Sequence, residues 1–176
     1  MYRYGPNATL TANHAVWGDF CNAFVKDIKP LYLLAFLLTA NHQDAEQCFA
    51  TALEAASEAT VFRDWVRPWI RRTLIKVAIH RVFGRPGDNG QTRDSWGDSG
   101  AGTSLFNAVA QLGSLERLVF VIVVLERYSI KECSLLLNCT EQATVTARSH
   151  ALKDLRSDRT LGILLATNGE KLQICG

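Results

Sequence analysis

The stretch "YSIKECSLLLNCTEQATVTARSHALKDL", residues 128–155, reads as one amphipathic helix until its middle. There Asn138, Cys139 and Thr140 interrupt the apolar spacing, and a second helical pattern follows at once. Asparagine tolerates the left-handed backbone that ends a helix in a tight turn. Thr140 offers a side-chain oxygen to the free amides of the next helix, and Glu141 puts an acid at its positive end. Two short helices joined this tightly make a helix-turn-helix. Ile130, Cys133, Ser134 and Leu137 share one face of the first helix, and the small Cys133 and Ser134 allow close approach of the second. Val145, Leu152 and Leu155 are the expected inward stripe of the second helix. The expected outward groups are Gln142, Thr146, Arg148 and Lys153, with Thr140 at the helix start. Such groups suit base edges and phosphates. A capped helical hairpin with no nucleic-acid role fits the same features.

Upstream, residues 62–85 hold Arg63, Arg67, Arg71, Arg72, Lys76, Arg81 and Arg85 against a single acid, Asp64. Arg72, Lys76 and His80 recur every fourth position and so share a helix face. Trp65 and Trp69 precede them at the same spacing. A basic face with aromatics at one end suits a nucleic acid, including a melted strand whose bases can stack. The competing reading is a solvated basic face with tryptophans anchoring the core. Pro68 belongs near the start of this helix or kinks it.

Between the two lies "GRPGDNGQTRDSWGDSGAGTS", residues 84–104, with six glycines and a proline among polar residues. Such a stretch buries too little surface to fold and reads as a flexible linker. It divides the chain into 1–83 and 105–176. Apolar residues recur at three and four positions in both halves, so the expected class is all-α, two small helical domains on a tether. In the first half, residues 20–40 suggest one helix with a break at Pro30. The next helix carries Asp44 and Glu46 in its first turn and an apolar stripe of Ala45, Cys48, Phe49, Ala52 and Ala56. Residues 115–125 suggest a strongly apolar helix.

Composition bounds the rest. The 176 residues are 48% hydrophobic and 20% charged, enough apolar content to bury a core. A net charge of +2 says little about partners, so any electrostatic message lies in the distribution. The five cysteines form no C-x-x-C pair and are odd in number, which fits a reduced compartment. "MYRYGPNATLTANHAVW" has no apolar signal core, and the longest apolar run, residues 31–40, is half a membrane span. A cytoplasmic protein without a membrane partner is therefore expected. His14, His42, His80 and His150 are scattered, and Cys133, Cys139 and His150 lack zinc-site spacing. "GRPGDNG" follows a basic helix and lacks the P-loop lysine. No catalytic centre, metal or cofactor is expected.

The order of these parts resembles a small sigma-70 family factor of the extracytoplasmic-function type. "LYLLAFLLTANHQDAEQ" is similar to the start of that family's polymerase-binding helices. "FRDWVRPWIRRTLIKVAIHRV" is similar to the helix that melts and reads the −10 promoter element. "LGSLERLVFVIVVLERYSIKECSLLLNCTEQATVTARSHALKDL" is similar to the −35 domain, a winged-helix-like helix-turn-helix of the sigma region 4 type. The resemblance implies a transcription initiation factor that brings core RNA polymerase to promoter DNA, with an anti-sigma factor as a further candidate partner. It implies polymerase contacts at Asp44, Glu46, Gln47 and Glu54, and −10 contacts at Arg71, Arg72, Lys76 and His80, with Trp65 positioning that helix. It implies −35 contacts at Thr140, Gln142, Thr146, Arg148 and Lys153. Two such elements ~17 base pairs apart are separated by about 58 Å. The linker spans roughly 25 Å when relaxed and about 70 Å when extended. A regulator that binds DNA without polymerase, and an all-helical protein-binding adaptor, are the alternatives.

Overall fold

The computed structural model describes residues 14–84 and 101–157, and among them the regular structure is helical. The first half comprises α1 (Trp17–Lys26), α2 (Ile28–Thr39), α3 (His42–Ala56) and α4 (Val66–Phe83), the last entered through a 3-10 turn at Arg63–Trp65. The second comprises α5 (Ala101–Gln111), α6 (Ser114–Val119), α7 (Ile130–Leu137) and α8 (Glu141–Ser157). Between α6 and α7 the chain runs through a π-helical stretch, Phe120–Leu125. A single antiparallel bridge, His14 to Phe62, ties the start of the described chain to the entry of α4.

The break in the first hydrophobic stretch falls at Asp27, three residues before the proline expected to cause it. Pro30 lies in the first turn of α2, where a missing amide leaves no hydrogen bond unmade. Pro68 occupies the equivalent place in α4. Helix α3 starts at Asn41, whose Oδ1 accepts from the amide of Asp44 at 2.9 Å. Its buried face is Ala45, Cys48, Ala52 and Ala56, and the larger Phe49 sits at the margin, edge-on to Phe24.

The apolar run after Ser114 departs from a plain α-helix. Glu126 donates its amide to Val121 O at 2.9 Å, the five-residue spacing of a π turn. Leu118, Val119, Phe120, Val121 and Ile122 are buried, whereas Val124 and Leu125 emerge.

The segment 84–104, read as a tether, lies for the most part outside the described residues. Helix α5 already begins at Ala101, within it. The residues on either side of that segment are in contact. Phe36 and Leu38 of α2 belong to the same hydrophobic cluster as Leu118 and Ile122. α2 touches α5, α6 and the π stretch. The apolar run of α2 is thus buried from two sides.

Arg117 explains how a charge sits at that junction. It is 1% exposed, and its guanidinium donates to Leu38 O at 3.2 Å, Thr39 O at 3.4 Å and Leu112 O at 3.3 Å. Leu38 and Thr39 close α2, where carbonyls have no partner within the helix and the dipole is negative. The chain then leaves through Ala40 in the left-handed conformation, φ 54°. A cation from the second half thus caps a helix of the first.

Candidate nucleic-acid interface

Helices α7 and α8 are joined by Asn138, Cys139 and Thr140. α7 opens with a reciprocal cap. Ser129 Oγ accepts from the amide of Glu132 at 3.2 Å, and a Glu132 carboxylate oxygen accepts from Ser129 N at 2.9 Å and Ser129 Oγ at 2.7 Å. Those Ser129 hydrogen bonds, with a smaller contribution from Arg72, hold the Glu132 carboxyl below its usual range. α7 closes at Asn138, φ 50°, and Cys139 N donates back to Ser134 O at 3.0 Å. α8 opens with Thr140 Oγ1 accepting from Ala143 N at 3.1 Å. Cys133, Ser134 and Leu137 are buried between the helices, and burial pushes the Cys133 thiol up to about 12.

The inward stripe of α8 differs from expectation. Thr144, Ala147, Ala151 and Leu155 are buried, and Val145 and Leu152 flank them half-buried. Gln142, Thr146, Ser149, His150 and Lys153 are exposed. Arg148 does not join them: it is half-buried, and its Nε is buried without a hydrogen-bond partner among the described residues. The helix wheel gives the reason. At about 100° per residue, Gln142, Thr146, Ser149 and Lys153 fall within one sector, while Arg148 lies about 160° from Thr146. Ser149 and His150 complete the outward face, and stepping by three and four from Thr146 finds both in the sequence. Thr140 is exposed, but its hydroxyl oxygen is engaged as the cap.

On α4 the basic face narrows. Arg63 pairs with Asp19 at 3.1 Å, Arg67 with Asp27 at 2.9 Å and Arg81 with Asp44 at 3.4 Å. Arg71 makes a two-pronged pair with Glu126 of the second half, Nε to carboxylate at 2.8 Å, and Nη2 meets the other carboxylate oxygen. The Glu126 hydrogen bond, chiefly, raises the Arg71 pKa further. Arg72, Lys76 and His80 stay exposed on one face, and Arg72 and Lys76 make no ion pair among the described residues. Trp65 is 64% exposed at the entry to the helix, so Trp65 does not anchor the core; Phe62, three residues earlier and also exposed, stacks on His14. Trp69 does, edge-on to Phe20 with ring centres 5.3 Å apart. The far end of α4 faces the turn of the second half across a cleft of about 490 Å³, lined by Ile79, His80, Phe83, Leu137, Asn138 and Cys139 among others.

The four residues assigned to polymerase contact by resemblance separate into two pairs. Glu46 and Glu54 are exposed on α3. Asp44 is 4% exposed and paired with Arg81, and Gln47 accepts from the same guanidinium. Their polar atoms brace α3 against α4. Burial also pushes the nearby Cys48 thiol up to about 11.

No family model matches the chain, and no curated protein matches it. Among the described residues no helix is long and apolar enough to cross a membrane, and no cluster of metal-ligating side chains is found.

Proposed function

We propose that the chain is a DNA-binding transcription initiation factor of the sigma-70 kind, acting with core RNA polymerase. The observation that carries this reading is the α7–turn–α8 unit. Both helices are capped, the turn is left-handed at Asn138, and α8 turns Gln142, Thr146, Ser149, His150 and Lys153 to solvent. An exposed helix face of amide, hydroxyl and basic groups on a rigid hairpin suits the major groove. Helix α4 supports the same reading with exposed Arg72, Lys76 and His80 and an exposed aromatic pair, Phe62 and Trp65, at its start. Of the four residues that the resemblance assigns to polymerase contact, Glu46 and Glu54 are the exposed ones.

A second reading has its own support. Asp44 and Gln47 are engaged with Arg81, which leaves α3 a reduced polar face, while the α8 face is fully accessible. This favours a regulator that binds DNA through α8 without polymerase. Gel retardation of promoter fragments separates the two. An initiation factor shifts promoter DNA chiefly with core polymerase present, a lone regulator shifts it alone, and failure in both conditions overturns both readings.

A further inference from the structure

We infer that Cys133 and Cys139 form a thiol pair that a peroxide closes to a disulfide inside the α7–α8 turn. The chemistry stands on the geometry of the turn; its consequence for DNA rests on the reading of α8 as a nucleic-acid surface. Asn138 N donates to Leu135 O at 3.4 Å, and Cys139 N donates to Ser134 O at 3.0 Å. With Asn138 left-handed at φ 50°, these two bonds fold the chain back over the last turn of α7. In that motif the second residue past the helix packs on the residue whose carbonyl its amide meets, and on the one before it. Here the packing residue is Cys139, and its neighbours are Ser134 and Cys133. Cys133 belongs to the hydrophobic cluster, Cys139 packs against it, and both are free thiols. The Cys133 thiol is held protonated by burial and, less strongly, by Cys139. The two differ in access. Cys133 is 0% exposed, whereas Cys139 is half-buried and lines the cleft at the end of α4. A peroxide therefore meets Cys139 first.

The electrons and protons balance. Cys139, as thiolate, attacks one peroxide oxygen. An S–O bond forms, the O–O bond breaks, and the hydroxide that leaves takes up the proton the thiol gave. Cys133 then attacks the same sulfur. The S–S bond forms, the S–O bond breaks, and the departing hydroxide takes the Cys133 proton. Sulfur is oxidised, peroxide oxygen is reduced, and water is the by-product. Side chains in contact lie about 4 Å apart, whereas an S–S bond is about 2 Å long. Cys133 is fixed in the core, so Cys139 makes most of that movement. It leaves Thr144 Oγ1, which it meets at 3.3 Å. Thr144 is buried near the start of α8, where its hydroxyl donates to Thr140 O. Closure of the pair therefore acts on the beginning of the helix that carries the outward face.

The test uses the full chain, reduced and then treated with hydrogen peroxide. Free thiols are blocked in urea with N-ethylmaleimide, and tryptic peptides are weighed by mass spectrometry. Cleavage after Lys131 and Arg148 puts both cysteines on one peptide. That peptide is expected to lose the mass of a pair of hydrogens and to stay unlabelled until dithiothreitol is added. Labelling of both thiols overturns the pair. So does a Cys139 that is oxidised further, or that bonds to Cys21, Cys48 or Cys175 instead. Fluorescence anisotropy with labelled promoter duplex, with and without core polymerase, then reads the consequence. Oxidation is expected to weaken binding about fivefold, the scale of a modest coupling between sites. Dithiothreitol is expected to restore it, and Cys139→Ser to show no response to peroxide. A disulfide with unchanged affinity overturns the link to α8. A chain that binds no duplex even when reduced overturns the reading of α8, whereas the thiol pair is decided by the peptide masses alone.

Discussion

Arg117 donates from its Nε to the carbonyl of Leu38, a residue 79 positions earlier, at 3.2 Å. It does so while 1% exposed, with Thr39 O and Leu112 O as its further acceptors. A buried guanidinium is tolerated because its donors face carbonyls that would otherwise be orphaned at a helix end. Arg117→Ala removes the cation and leaves those carbonyls without a partner. Hydrogen bonds to charged groups contribute about 1.5–3 kcal/mol each, so a loss of about 3 kcal/mol is expected in urea unfolding. Arg117→Lys, a point charge without the fork, is expected to recover less than half of it. A loss below ~1 kcal/mol for Arg117→Ala contradicts the capping role.

The turn between α7 and α8 depends on two side chains of different kind. Asn138 tolerates φ 50°, and Thr140 caps α8. Asn138→Val is expected to cost about 1–2 kcal/mol through the left-handed backbone, and Thr140→Ala about 1 kcal/mol through the lost cap. Asn138→Gly is expected to be close to neutral. Thermal melts of the three variants check the order.

The outward face of α8 and the position of Arg148 lead to opposite expectations. Lys153→Ala is expected to weaken promoter binding across sequences and to lower the salt slope by about 1. Thr146→Ala is expected to change the sequence preference with little change in slope. Arg148→Leu replaces a half-buried side chain whose Nε has no hydrogen-bond partner among the described residues. It is expected to leave DNA binding intact and stability unchanged or raised by up to ~1 kcal/mol. Loss of binding in Arg148→Leu returns that residue to the interface.

Acid is expected to loosen the start of α7. The Glu132 carboxyl is held below its usual range by the Ser129 hydroxyl and amide and, less strongly, by Arg72. The folded chain therefore binds the Glu132 proton less readily than the unfolded chain does. Its contribution is fully present above the ordinary glutamate range and is lost as the pH falls through the depressed folded value. Asp19, held down by the amide of Val16 and by Arg63, acts in the same sense at the start of α1. An NMR titration is expected to give both carboxyls midpoints below their ordinary values, and in Ser129→Ala the Glu132 midpoint is expected to move upward.

Local chemistry was legible from the residues, and long-range partnership was not. Asn138 and Thr140 announce a helix end and a helix start because their side chains act on their own backbone. The buried stripe of α3 follows from spacing alone. Arg148 carries the charge of an outward group, but its helical angle puts it half-buried, away from Thr146. The packing of α2 against α6 has no local signature, since an apolar run buried from one side looks the same as one buried from two. Four basic residues of α4 looked like a ligand surface because their acids, Asp19, Asp27, Asp44 and Glu126, lie on other elements. Arg117 gave the one available hint, a lone cation in "LERLVFVIVVL".

The π stretch at Phe120–Leu125 acts as a phase shifter. A π turn accommodates one residue more than an α turn, so the residue that closes it, Glu126, is displaced by about 100° from where regular winding would carry it. That displacement is what aims Glu126 at Arg71. Removing one residue from the stretch would let it rewind as plain α-helix and swing a different side chain toward α4. Beyond Glu126 the chain leaves the helix through Arg127, φ 60°, and α7 then starts at Ile130.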